Sequence, residues 1–271
     1  MLPLVDAHCH LDEHHFSEGA DAVIVRARAA GVIGFVVVGL ASPDESDPLK
    51  TARFAVELAR RYPDCVAACV GLHPHDARGW SGVLHEGLRA LAQQPEVVAV
   101  GEIGLDYHYD HSPREEQQAV FARLIGLARE VHKPIVVHTR AAAADTIAVL
   151  AEHGARHVGG IIHCFSEDVA FAKRALDLDF DLSFSGVVTF KNAAAVQQVA
   201  SWAPEERILV ETDSPYLAPV PLRGKRCEPA FVVHTLRCVA ALRGVSPEVL
   251  ARVAVENTQR RFGKTFVPAP A

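Results

Sequence analysis

Eight apolar runs recur along the chain at near-regular intervals: residues 2–11, 33–40, 65–73, 97–105, 134–138, 160–165, 180–187 and 208–213. They are short and rich in Val, Ile and Phe, as strands are. Between them lie Ala-, Leu- and Arg-rich stretches with helical periodicity, such as 21–30, 50–61, 114–132 and 169–178. Gly31, Pro63, Pro95, Pro134, Gly154, Gly159 and Pro204 punctuate the joins. Strand ends near His10, Leu40, His73, Glu102, His138, His163, Ser185 and Asp213 are spaced by roughly 29 residues on average, which fits a (β/α)8 TIM barrel. A doubly wound sheet usually has fewer strands, and no glycine-rich nucleotide loop follows the first run. With no repeat or linker, one domain is expected over residues 1–266, with a frayed tail at 267–271.

The first run is unusual because "VDAHCH" puts Asp6, His8 and His10 into an otherwise apolar strand. Alternation gives these three one face, and Val5, Ala7, Cys9 and Leu11 the face that packs on helices. Buried polar groups of this kind need partners. Glu102, on the face assigned to Val98 and Val100, comes late in its strand. His138 follows Val136, His163 follows Ile161, and Asp213 follows Leu209 and Glu211. Barrel enzymes place their chemistry at the C-terminal ends of their strands. Any one of these side chains is explained well enough by a local hydrogen bond. The set of four histidines and two carboxylates is better explained by metal. Six ligands exceed the three protein ligands of an ordinary catalytic zinc, so two divalent ions are expected, with Glu102 as the shared carboxylate.

The wider composition narrows the context. A net charge of −6 does not announce a nucleic-acid binder, so such a substrate would have to meet a local patch. The six cysteines form no CxxC pair and read as reduced thiols of a cytoplasmic protein. No apolar run approaches the roughly 18 residues a membrane span needs.

The stretches "DAHCHLD" (6–12), "VGLHPH" (70–75), "VGEIGLDY" (100–107), "VVHTR" (136–140), "IIHCFS" (161–166), "VETDSPYLAP" (210–219) and "RGKRCEP" (223–229) occur in order over nearly the whole chain. The set resembles the TatD family of metal-dependent deoxyribonucleases, within the amidohydrolase superfamily. The resemblance implies a TIM barrel with two divalent ions (Mg2+, Mn2+ or Zn2+). One would be held by His8, His10, Glu102 and Asp213, the other by Glu102, His138 and His163. It also implies hydrolysis of DNA phosphodiester bonds, as a 3′-5′ exonuclease. In one departure, Cys227 stands where members often carry Asn.

On that reading Asp213 orients and deprotonates the attacking water, and Glu102 and His73 complete the catalytic group. His73 would touch the phosphate or the water. Arg223 and Lys225, in a basic loop with Arg226, and Arg140 would bind the DNA backbone. Asp6 and Glu211 would support the ligands from behind, with a lumen salt bridge as the alternative for Asp6 and a buried arginine partner as the alternative for Glu211. His75 is expected to face solvent, and Asp106 and Tyr107 either to shape the cleft or simply to turn the chain. His14, His15, His85, His108, His111, His132, His153, His157 and His234 are expected to be surface or packing residues. Trp80 and Trp202 are more ordinary as packing residues than as base-stacking ones. A small-molecule amidohydrolase or phosphotriesterase-like enzyme on the same two ions is the rival function, motivated by the acidic charge and by few aromatics that look exposed.

Overall fold

A computed structural model describes residues 2–268. Eight parallel strands pair in the order β1 to β8: β1 Leu4–Cys9, β2 Val32–Leu40, β3 Val66–Gly71, β4 Val97–Asp106, β5 Ile135–Arg140, β6 Gly160–Ile162, β7 Phe180–Phe184 and β8 Ile208–Val210. Among the described residues nine α-helices surround them: α1 Ala20–Ala29, α2 Lys50–Arg61, α3 Gly82–Ala92, α4 Arg114–Glu130, α5 Ala143–Glu152, α6 Val169–Asp177, α7 Ala194–Trp202, α8 Val232–Arg243 and α9 Pro247–Phe262. Sequential parallel strands joined by helices are the (β/α)8 arrangement. The barrel closes where the chain beyond β8 returns to β1. His10 N donates to Ser214 O at 2.9 Å, and Asp213 N to His8 O at 3.0 Å.

Local sequence sets the helix ends. Asp168 accepts from Phe171 N at 2.8 Å to cap α6, and Ser246 accepts from Val249 N at 3.3 Å to start α9. The larger apolar cluster lies between strands and helices and includes Phe35, Val37, Ile103, Leu124 and Phe184. A smaller one joins side chains from seven strands, among them Val36, Cys69, Ala99, Val136, Ile161 and Leu209, with Phe262 and Phe266. Only a barrel lumen brings so many strands together.

The lumen corrects two expectations. Val5 and Ala7 belong to the inner cluster, while Cys9 and Leu11 pack with the helices as expected. Likewise Val98 faces inward and Val100 outward. Both errors come from assuming strict alternation. The β1–β2 register slips between Leu4 and Val5 and again between Asp6 and Cys9. The β3–β4 register slips between Ala68 and Cys69, and the β4–β5 register between Gly101 and Ile103. Such irregularities reset which face a side chain takes. Of the expected frayed tail, residues 269–271 lie outside the described residues, whereas Val267 N donates to Asp64 O at 2.9 Å.

No described helix is long and apolar enough to cross a membrane.

Candidate metal centre

The polar strand ends meet at the C-terminal mouth. Two departures from extended backbone aim them. Cys164, just past His163, has φ 44°, and Asp213 has φ 57°. β6 ends at Ile162 and β8 at Val210, so His163 and Asp213 lie just past their strands, where His163 N still donates to Val137 O and Asp213 N to His8 O, both at 3.0 Å. Left-handed backbone at non-glycine residues costs about 1–3 kcal/mol and concentrates at functional sites.

Glu102 is central. Its Oε2 lies 3.6 Å from His8 Nε2 and 3.9 Å from His10 Nε2. Its Oε1 lies 2.8 Å from His163 Nε2, 2.9 Å from His138 Nδ1 and 3.6 Å from His73 Nε2. Asp213 Oδ1 completes the first group, 3.7 Å from His8 Nε2 and 3.8 Å from His10 Nε2, and those two nitrogens are 3.3 Å apart. A tetrahedral ion with bonds of about 2.0–2.1 Å separates its ligands by about 3.3–3.4 Å. The two imidazole nitrogens match that value, and the Glu102 and Asp213 oxygens each lie 3.6–3.9 Å from them.

The protonation pattern fits cation binding. Burial, reinforced by nearby His163, holds His8 well below the usual imidazole value, and burial brings His10 down to about 4. Both rings are therefore neutral at pH 7 and can offer lone pairs. His8 is fully buried, yet its Nδ1 has no hydrogen-bond partner among the described residues. Protein hydrogen bonds thus do not explain its place in the core. Burial opposes ionisation of Glu102, but His163 and His138 overcome it and hold the carboxyl well below the usual range. Burial raises Asp213 to about 7 against the pull of His163.

Carboxylates stand behind the rings. Glu211 Oε1 accepts from His163 Nδ1 at 3.1 Å and from Cys164 N at 2.6 Å, and Ser183 Oγ donates to Oε2. Asp106 Oδ2 pairs with both His138 Nε2 and His75 Nε2 at 3.1 Å, while its Oδ1 accepts from His108 N and Tyr109 N. Burial opposes ionisation of Asp106, but these bonds keep it well below the usual carboxylate range. For His163 and His138 the ring nitrogen on the far side from Glu102 thus meets a carboxylate, leaving the inward nitrogen available as a ligand.

The profile of the TatD related DNase family matches residues 5–263. The chain belongs to the TatD family. It is 40% identical over 259 residues to the metal-dependent hydrolase YabD of Bacillus subtilis, covering 96% of this chain and 98% of that one. It is 33% identical over 265 residues to a Klebsiella pneumoniae protein named 3′-5′ ssDNA/RNA exonuclease TatD, covering 96% and 98%. The structure of the Escherichia coli TatD homologue YjjV superposes with a TM-score of 0.88 at 27% identity, over 96% of this chain and 98% of that one. This TatD-family chain is accordingly a metal-dependent hydrolase.

The site differs in detail from the sequence reading. Asp6 reaches neither a ligand ring nor an arginine. Its Oδ1 accepts from Thr212 N at 2.8 Å, and Thr212 Oγ1 donates to its Oδ2, so it laces β1 to the segment that carries Asp213. Glu211 contacts a histidine rather than an arginine. His73 lies inside the Oε1 group. Arg223, Lys225 and Arg140 are exposed near the mouth, Arg223 over the Phe190 ring at 3.6 Å and Arg140 over Tyr109 at 4.8 Å. Arg226 instead pairs with Glu18. Cys227 is fully buried, and burial raises its thiol.

Three features went unread in the TatD-family sequence. Asp106 holds two histidines. Its signal was available, since it lies four residues beyond Glu102 on the same strand. His75 is half-buried against Asp106 rather than facing solvent. His15 is also half-buried, with Nδ1 2.7 Å from Asp12 Oδ2 and Nε2 3.0 Å from Tyr216 Oη. No spacing rule links residues 15 and 216.

Proposed function

We propose that the chain hydrolyses phosphodiester bonds of DNA from the 3′ end, using two divalent ions. One observation carries the two-ion reading: the two oxygens of a single buried carboxylate, Glu102, face two separate groups of imidazole nitrogens. His8, His10, Glu102 and Asp213 would hold one ion, and Glu102, His138 and His163 the other. Such ions supply charge neutralisation on phosphate oxygens and an acidified water.

The chain's own groups do the rest. Asp213 Oδ1 faces His8 and His10, leaving Oδ2 to orient a water and take its proton. His73, half-buried at the rim, is placed to donate to a phosphate oxygen. Arg223, Lys225 and Arg140 present exposed cations toward a polyanion. A DNA substrate and the 3′ direction are supported by the name of the Klebsiella relative.

The test uses single-stranded DNA labelled at either end, with Mg2+, Mn2+ or Zn2+ added. A 5′ label should yield a descending ladder, and a 3′ label should release mononucleotide at once. No shortening with any of these ions overturns the reading, and turnover of small esters or amides in its place favours the rival hydrolase.

A further inference from the structure

Tyr109 and Tyr216 are 53% and 52% exposed, although Tyr216 lies beside the buried His10 and Tyr109 beside the half-buried His75. Tyr216 sits in the loop after β8, with its ring centroid 6.4 Å from His10. Tyr109 sits in the loop after β4, 5.5 Å from His75, which in turn packs on His73 at 4.2 Å. In an eight-stranded barrel, strands 4 and 8 are half a turn apart. The two phenols therefore stand on opposite rims of the mouth, with the Glu102 donor groups between them.

Both rings are held in place. The Tyr216 hydroxyl bonds His15 Nε2 at 3.0 Å, and His15 Nδ1 bonds the buried Asp12 at 2.7 Å. His10 and His15 meet the Tyr216 ring at 71° and 81°, so neither stacks on it. His75 meets the Tyr109 ring at 88°, and the Arg140 guanidinium lies over that ring at 4.8 Å. Each ring thus keeps a large aromatic surface fixed in position and open to water.

We propose that Tyr216 and Tyr109 are stacking platforms for nucleobases on either side of the hydrolysed linkage. This inference rests on the DNA-hydrolase reading above. Stacking suits a chain of net charge −6, which cannot rely on overall attraction to a polyanion. It also tolerates any base, because every base offers a π-face. Arg140, lying over Tyr109, would add a cation to the same contact.

The test measures binding of a fluorescent ten-nucleotide oligothymidylate, and of the same strand with tetrahydrofuran abasic residues, by anisotropy. Tyr216→Ala and Tyr109→Ala should each raise Kd for the base-bearing strand roughly 5- to 100-fold, and leave the abasic strand within about twofold. Tyr216→Phe and Tyr109→Phe keep the ring and should bind near the wild-type level. An equal loss on both strands, or no loss on either, overturns the proposal. So does a Phe variant as weak as the Ala variant. Hydrolysis is followed in parallel with Mn2+. Ring-dependent binding without cleavage sinks the nuclease reading while the platforms stand. A wild-type protein that neither binds nor cleaves overturns both.

Discussion

Glu211 stands directly behind His163, its Oε1 3.1 Å from Nδ1, while Nε2 of the same ring points 2.8 Å to Glu102. The carboxylate fixes the ring's tautomer and orientation. Glu211→Gln preserves shape but can turn its amide N–H toward Nδ1, which favours the other tautomer. Affinity for Mn2+ or Zn2+ should fall about 10- to 100-fold, by calorimetric titration, with the far-UV spectrum unchanged. Unaltered affinity would show that the pair is structural only.

Asp106 does the same for His138 and His75, and additionally anchors its own loop through His108 N and Tyr109 N. Asp106→Asn should lower kcat by at least tenfold and leave the protein folded. The loop bonds survive if the amide oxygen keeps facing the backbone. Wild-type kcat at saturating metal would remove Asp106 from the mechanism.

Asp6 ties β1 to Thr212, both partners being buried. Asp6→Ala leaves the Thr212 donors without an acceptor, which should cost about 1–3 kcal/mol in denaturant unfolding. The loss should be present with metal removed, because the bond closes the barrel rather than touching a ligand. A cost seen only with metal bound would reverse that assignment.

Gly104 has φ 145°, and a Cβ there would lie 1.9 Å from His138 O. Gly104→Ala must therefore push β4 from β5 where Glu102 and His138 meet. A destabilisation of about 2 kcal/mol or more is expected, with loss of metal binding. A variant with wild-type melting temperature and metal content would contradict the packing described.

Bound metal should also stabilise the fold. His8, His10, Glu102 and Asp213 converge only in the native state, so an ion at 100 times its Kd adds about 2.7 kcal/mol. Thermal melts should rise with Mn2+ or Zn2+ and fall with chelator. Melts insensitive to both would argue against a preformed site.

Much of this was legible in the chain. The helical stretch 50–61 coincides with α2, and 114–132 overshoots α4 by only two residues. The runs 160–165 and 208–213 overshoot β6 and β8, which end at Ile162 and Val210, and left-handed backbone follows at Cys164 and Asp213. Parity worked for Val136 with His138 and for Ile161 with His163, where pairing is regular. It failed around β1 and β4, where the register slips.

The sequence by itself determined the barrel and put His8, His10, Glu102, His138, His163 and Asp213 in or just past the ends of its apolar runs, because the order and spacing of such runs are local properties. Only the tertiary structure decided the partners: Asp6 with Thr212, Asp106 with His75 and His138, and His15 with Tyr216. Each is a contact between groups far apart along the chain or on opposite sides of a turn. Hydrogen bonds depend on distance and direction in space, which spacing along a chain does not encode.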